Sequence, residues 1–162
     1  MKAAQTRNQI VVSSRSLFIE NGLNGVTMTD IVDASGLSRG GVYRYFQSVK
    51  EVFEALMETE LSINKNREYG SFADYLNEEI LELRNIRGTL RFAGYEYMMK
   101  YAQTSTLAQR IYDVNIKQIM TYGHRNESEA TMIFTQLEGM TVMALSGILN
   151  DAVIDTFKNK YR

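Results

Sequence analysis

The sequence contains no cysteine, no proline and only one histidine. The absence of cysteine excludes a disulfide framework, thiolate metal sites and a cysteine nucleophile. A single histidine, His124, leaves little material for a histidine-rich metal site or for a hydrolytic nucleophile paired with histidine. The absence of proline is typical of a chain made mostly of helices, because proline breaks helix interiors.

Long hydrophobic runs are also missing. The best apolar run, residues 140–149, has ten residues and includes threonine and serine. A membrane-spanning helix needs about 20 apolar residues. The first 16 residues lack the apolar core of a secretory signal peptide. We therefore expect no membrane partner, and we expect a cytoplasmic location.

Charge is nearly balanced over the 162 residues, with 18 basic and 19 acidic side chains, but it is unevenly distributed. Residues 1–50 contain six basic and three acidic side chains, so the remaining 112 residues are net acidic. The apolar content of 44% is ordinary for a globular protein. A basic head on an acidic body indicates a polyanionic partner for the head alone.

Helical periodicity runs along the chain, and no segment shows the period-2 alternation of a strand. Capping residues and glycines mark where the helices begin and end. The predicted helices cover residues 5–22, 28–35, 39–46, 49–64, 72–85, 89–103, 107–122 and 127–150, with a short tail helix to residue 161. This pattern predicts an all-α protein.

The second and third predicted helices are short and are joined by a turn at Gly36, which matches the plan of a helix-turn-helix. Thr27 and Ser38 are candidate N-caps for these two helices. A small shared apolar core would fix the angle between them. The residues expected in that core are Ile31, Leu37, Val42 and Phe46.

Residues 17–53, LFIENGLNGVTMTDIVDASGLSRGGVYRYFQSVKEVF, resemble the DNA-binding head of the tetracycline-repressor (TetR) family of bacterial regulators. The resemblance covers about residues 5–56, a third of the chain. The positions that agree with the family at its spacing are Leu17, Phe18, Gly22, Thr27, Ile31, Gly36, Ser38, Tyr43 and Phe46. One departure is Val49, which stands where the family usually has a lysine, with Lys50 as its neighbour. The chain is also shorter than most members.

The resemblance implies a helix-turn-helix head at residues 1–50 that places its second short helix in the major groove of duplex DNA. Arg39 and Arg44 have the donors for bidentate bonds to guanine. The hydroxyl of Tyr43 can reach a phosphate, a contact that positions the head without reading sequence. The complete set of candidate DNA-binding residues is Thr27, Thr29, Ser38, Arg39, Gly40, Gly41, Tyr43, Arg44 and Lys50.

The resemblance further implies that residues 51–162 form a helical bundle that binds an effector and dimerises. No cofactor is expected, and the effector would be a small apolar or amphipathic molecule. The candidate pocket residues are Phe92, Tyr95, Met98, Met99, Tyr112 and Phe134. The candidate residues of the homodimer interface are Gly139, Val142, Met143, Ala144 and Gly147.

The function that follows is a ligand-responsive, DNA-binding transcriptional regulator, expected to be a repressor, that binds a palindromic operator as a homodimer. The alternative is a helical enzyme or scaffold whose helix-turn-helix is only structural. Residues 36–40 match the G-x-S-x-G pattern of hydrolases, but that pattern needs a preceding strand, and a helix is predicted there. The carboxylates of Glu78, Glu79 and Glu82 are interpreted as a solvated helix face, because the Glu-x-x-His pairs of helical di-metal sites are missing.

Overall fold

A computed structural model describes residues 2–161. Within that range the chain forms nine α-helices and a single short 3-10 helix at Ile86–Gly88, with no strand. The α-helices are α1 (Lys2–Asn21), α2 (Met28–Ser35), α3 (Arg39–Tyr43), α4 (Val49–Lys65), α5 (Phe72–Arg84), α6 (Leu90–Tyr101), α7 (Leu107–Gly123), α8 (Glu127–Leu145) and α9 (Asp151–Lys160). The prediction of an all-α fold with a helix-turn-helix near its N-terminus is confirmed.

Two predicted C-terminal helix ends were wrong by three residues or more. Helix α3 ends at Tyr43, not at Phe46, and is only five residues long. Helix α8 ends at Leu145, not at residue 150, because Gly147 has a left-handed backbone with φ 72°. The amide of Val153 then donates to the side chain of Asn150, which begins α9 as a separate helix.

The described chain packs as two compact units. The first contains the chain up to Ser62 together with Arg87–Leu107. Its core includes Ile10 and Val42, both fully buried. The ring of Phe53 lies 5.0 Å from that of Phe18 and 5.4 Å from that of Tyr97. Aromatic contacts at these separations add to the free energy of area burial, so α1, α4 and α6 share one core.

The second unit contains Ile63–Ile86 and the chain from Ala108 onward. Its core combines one face each of α5, α7, α8 and α9. The most deeply buried side chains of this core are Tyr75, Leu83, Ile119, Ile133 and Leu137. From the sequence we predict a DNA-binding domain that ends at residue 50 and an effector-binding and dimerisation domain that begins at residue 51. The two packing units do not test this functional boundary, which stays a prediction.

None of the described helices is long and apolar enough to cross a membrane.

Candidate nucleic-acid interface

Helix α1 contacts the helix-turn-helix near the ends of both α2 and α3. The side-chain amide of Gln9 donates to the backbone carbonyl of Ser35 at 2.8 Å, at the end of α2. The guanidinium of Arg7 lies 4.9 Å from the centre of the Phe46 ring, just beyond α3. Because both contacts reach the far ends of the two short helices, α1 restricts how α2 and α3 can move together. Neither Arg7 nor Gln9 was predicted as part of the site.

Thr27 caps the start of α2 as predicted, and it does so in a capping box with Asp30. The hydroxyl of Thr27 accepts from the amide of Asp30 at 3.2 Å, and the carboxylate of Asp30 accepts from the amide of Thr27 at 2.8 Å. The Thr27 hydroxyl also donates to that carboxylate, and this side-chain bond, followed by the backbone bond, lowers the pKa of Asp30 below its ordinary value. Thr29, one residue before Asp30, is exposed.

Helix α3 is short, exposed and capped as predicted. The hydroxyl of Ser38 accepts from the amide of Gly41 at 3.2 Å. Gly40 is exposed, and a Cβ added there would have no neighbour within 4 Å. The backbone at the first turn of α3 is therefore exposed, and a second molecule has room to approach it.

The cationic side chains of this helix point to solvent. Arg39 and Arg44 are exposed, whereas Tyr43 is half-buried. The guanidinium of Arg39 lies 5.3 Å from the centre of the Tyr43 ring, which holds it along the helix. The structure thus brings Ser38, Arg39, Tyr43 and Arg44 together on one short exposed element.

Lys50 differs from the other candidates because it is already bound within the protein. Its ammonium lies 2.7 Å from a carboxylate oxygen of Glu54 and 5.3 Å from the centre of the Tyr101 ring. The bond to Glu54 raises the pKa of Lys50 above its ordinary value. Glu54 was not predicted as part of the site, although a glutamate four residues after a lysine on a helix is a recognisable ion-pair spacing.

The predicted pocket residues on α6 have unequal surroundings. Met99 is 81% exposed and so lies on the surface. Tyr95 and Met98 are half-buried. Phe92 lies beside the turn that follows α1, and the guanidinium of Arg87 is 5.0 Å from its ring centre.

The two remaining pocket candidates belong to the second unit and touch each other. The rings of Tyr112 and Phe134 meet edge to face at 5.3 Å, and the Tyr112 hydroxyl is 2.9 Å from that of Thr131. Both rings pack against the buried core of this unit. Together they form an apolar surface with one polar group, but the effector pocket itself stays a prediction.

The candidate interface residues on and after α8 fall into three groups. Gly139 and Val142 are exposed, and Val142 is 55% exposed despite being apolar. Ala144 packs against the core of the second unit, and Met143 is half-buried. Gly147 lies beyond the end of α8 at the left-handed turn. Only the first group therefore forms part of an exposed helix face.

Comparison with known proteins identifies the class of the N-terminal segment. Residues 10–56 match the family model described as "Bacterial regulatory proteins, tetR family". The uncharacterised HTH-type transcriptional regulator YfiR of Bacillus subtilis (strain 168) is 35% identical over 100 residues, covering 56% of this chain and 49% of that protein. The probable acrEF/envCD operon repressor of Escherichia coli (strain K12) is 22% identical over 111 residues, covering 68% of this chain and 49% of that protein.

Among solved structures, the chain is similar in fold to Salmonella enterica GusR, with a TM-score of 0.62 at 18% sequence identity. That match covers 99% of this chain and 95% of the other. The chain spans about half the length of the curated relatives it matches. These findings confirm the resemblance to the TetR family of transcriptional regulators. The two curated relatives are named as a regulator and a repressor of transcription, respectively.

Proposed function

We propose that this chain is a cytoplasmic transcriptional repressor that binds a palindromic DNA operator as a homodimer and is released by a small effector. The observation that carries the proposal is the exposed helix α3, capped by Ser38 and carrying Arg39, Tyr43 and Arg44, within a segment that matches the TetR family model. A short exposed helix with cations on its surface fits the major groove of duplex DNA.

The proposed contacts with DNA are of two kinds: those that read the base sequence and those that position the protein on the backbone. Arg39 and Arg44 present guanidinium groups that can bind guanine edges, which gives sequence preference. In this proposal the hydroxyl of Tyr43 contacts a phosphate, which sets the register of the head on the duplex. The hydroxyl of Thr27 donates to the carboxylate of Asp30 and would have to exchange that bond for one to a phosphate. The dipole of α2 favours negative charge at its N-terminus, where the carboxylate of Asp30 already accepts from the amide and the hydroxyl of Thr27.

The exposed face of α8 supports the proposal of a homodimer. A row of small or apolar residues follows one side of this helix at alternating spacings of four and three residues. All members of the row are exposed: Ser128, Met132, Thr135, Gly139, Val142 and Ser146. This spacing is the repeat that brings two helices together along a seam. At the centre of the row, a Cβ added to Gly139 would meet nothing within 4 Å, so a partner helix has room to approach closely.

Pairing of two chains matters for binding, because one short helix offers few base contacts. Linking two heads makes the second contact intramolecular and raises avidity by about 10²–10⁴. Two heads related by a twofold axis read a palindrome with half-sites about one helical turn apart, or a multiple of it.

The proposed effector acts by favouring a conformation with poor affinity for the operator. The effector must bind that conformation more tightly than the DNA-binding one, because otherwise it shifts nothing. The contact between Tyr112 and Phe134, with a hydroxyl pair at Thr131, supports an apolar or amphipathic ligand with one polar group.

The test is selection of bound sequences from random duplex DNA with the purified protein, followed by measurement of affinity against salt concentration. We expect an enriched palindrome and a log affinity that falls by roughly 0.9 per phosphate contact for each unit of log salt. Binding with no sequence enrichment and no dependence on salt would rule out the proposed function.

A further inference from the structure

The turn between α1 and α2 is held by a residue far away in the sequence. After α1 ends at Asn21, Gly22 adopts a left-handed backbone with φ 68°. The next two backbone amides, those of Leu23 and Asn24, lie beyond the end of the helix, and each needs an acceptor. Both find the same one: the carboxylate of Glu96 on α6 accepts from Leu23 at 2.6 Å and from Asn24 at 3.3 Å.

The other oxygen of the same carboxylate is also used. It accepts from the side-chain amide of Asn24 at 3.0 Å. One charged group therefore receives three hydrogen bonds from a turn 72 or 73 residues earlier in the chain. Bonds to an ionised acceptor are roughly twice as strong as bonds between neutral groups.

Packing around the turn leaves no space for a side chain at Gly22. A Cβ added to Gly22 would lie 2.4 Å from a carboxylate oxygen of Glu96 and 2.9 Å from a ring carbon of Phe92. Phe92 and Glu96 are one turn apart on α6, so together they form a seat for the turn. Glycine is needed at position 22 for two reasons: it adopts a left-handed φ without strain, and it has no side chain to collide with Phe92 and Glu96.

The turn leads directly into the DNA-binding elements. Leu23 and Val26 are buried, and Thr27 begins α2 one residue later. A change at residues 22–24 therefore moves the start of α2, and α3 follows because it packs on α2.

We propose that Glu96 is a positioning residue for operator binding, which holds the turn at residues 22–24 and thereby keeps α2 and α3 in the geometry that fits DNA. This role rests on the DNA-binding function proposed above. Glu96 itself carries a negative charge and makes no favourable contact with phosphates. Its contribution to DNA binding is therefore entirely geometric.

Because this contribution is geometric, a substitution of Glu96 should change DNA affinity in the direction opposite to the one that its charge alone predicts. Neutralising an acidic residue weakens the repulsion between the protein and DNA, so on charge alone Glu96→Gln should bind DNA more tightly. A glutamine also cannot accept from the side-chain amide of Asn24 with its NH₂ group, and its neutral oxygen is a weaker acceptor. If Glu96 positions the head, the variant should instead bind the selected operator about tenfold more weakly.

The matched control is Glu20→Gln, which removes the same charge from an exposed position near the end of α1. We expect this variant to bind at least as tightly as the wild type. Amide hydrogen exchange on the free proteins provides a reading without DNA: exchange at Leu23 and Asn24 should be faster in Glu96→Gln and unchanged in Glu20→Gln. Asn24→Ala, an exposed substitution, removes only the bond to its own side chain and should show a smaller loss in the same direction.

The outcomes separate the two proposals. If Glu96→Gln binds the operator as tightly as Glu20→Gln, or if exchange at residues 23 and 24 does not change, the positioning role is wrong while operator binding by the wild type stands. If the wild type itself enriches no sequence from random duplex DNA, the proposed function fails, and the role of Glu96 in operator binding fails with it.

Discussion

The ammonium of Lys50 lies 2.7 Å from a carboxylate oxygen of Glu54, one turn further along α4. The same carboxylate oxygen accepts from the hydroxyl of Tyr97 on α6, and the ring of Tyr101 lies beneath the ammonium. Lys50 is therefore held by the protein instead of extending freely into solvent. A phosphate has to compete with Glu54 for it.

Removing that competition should strengthen DNA binding. In Glu54→Gln the ammonium loses its ionic partner and becomes available to a phosphate, so we expect tighter binding to duplex DNA. The slope of log affinity against log salt should steepen by up to about 0.9, the value of one added phosphate contact. Glu20→Gln is the control, because it removes an equal charge that lies elsewhere, on α1. An equal slope in the two variants would show that releasing Lys50 from Glu54 adds no phosphate contact.

The same ion pair should make stability depend on pH in two windows. Burial raises the pKa of Glu54, but the bonds from Lys50 and Tyr97 outweigh it and leave the pKa below its ordinary value of 4.5. Its contribution is therefore fully present above pH 4.5 and is lost as pH falls through the lowered value. The bond to Glu54 raises the pKa of Lys50 above 10.5, so that contribution is present below pH 10.5 and is lost as pH rises through the raised value.

Thermal melting across pH tests this. The difference in melting temperature between the wild type and Glu54→Gln should be largest between the two windows and should shrink at both extremes. A difference that stays constant from neutral to acid pH would contradict the role assigned to the pair.

Arg44 and Tyr43 should affect operator binding in different ways. Arg44 is exposed directly after α3, and losing a bidentate base contact costs about 1–3 kcal/mol of discrimination. Arg44→Ala should therefore relax sequence preference, whereas Tyr43→Phe should weaken binding to all sequences alike. Selection from random duplex DNA with each variant measures this. Uniform weakening in Arg44→Ala would assign Arg44 to the phosphate backbone.

Thr27 has a structural role that must be separated from any contact with DNA. Thr27→Ala removes the acceptor for the amide of Asp30 and should lower the free energy of unfolding by about 1 kcal/mol. Thr27→Ser keeps the hydroxyl and should restore stability. Denaturant unfolding measures the first effect, and operator affinity of the two variants, compared at equal folded fraction, measures the second. Full stability in Thr27→Ala would show that the capping box contributes little.

Local signals predicted most of the helices, because their information lies within a few residues. The caps at Thr27 and Ser38 are where the sequence placed them. The end of α8 was wrong because the apolar pattern continues past Gly147, and only the backbone shows that this glycine is left-handed. Periodicity describes which face is apolar, whereas a helix stops where a residue adopts another backbone conformation.

The long-range contacts of the site could not be predicted. Nothing near Glu96 in the sequence indicates that its carboxylate binds the turn at Leu23, because the contact forms only when α6 packs against α1. Lys50 was correctly placed at the start of α4, yet its engagement with Tyr101 also depends on the fold. A single sequence therefore predicts which side chains are available, and packing decides which of them are free to bind.

The proposed dimer depends on the exposed row of α8 centred on Gly139. Gly147, a second candidate from the sequence, is a poor test, because its φ of 72° strains any larger residue and the fold would suffer directly. Gly139 is exposed and helical, and an added Cβ would meet nothing within 4 Å, so a larger side chain fits the single chain without strain. A loss of assembly caused by a substitution there therefore points to a contact with a second molecule.

We therefore expect Gly139→Leu to leave the helical content and melting of the single chain intact while preventing close approach of two α8 helices. Dimerisation and operator affinity should fall together, the latter by about 10²–10⁴, because avidity is lost while each head still binds weakly. Asn77→Leu, which enlarges an exposed residue on α5 of the same unit, is the matched control and should dimerise as the wild type does. Analytical ultracentrifugation over a range of concentrations, with operator binding measured in parallel, tests this. A wild type that sediments as a monomer at every concentration and still binds a palindrome with full affinity would overturn both the dimer and the mechanism that depends on it.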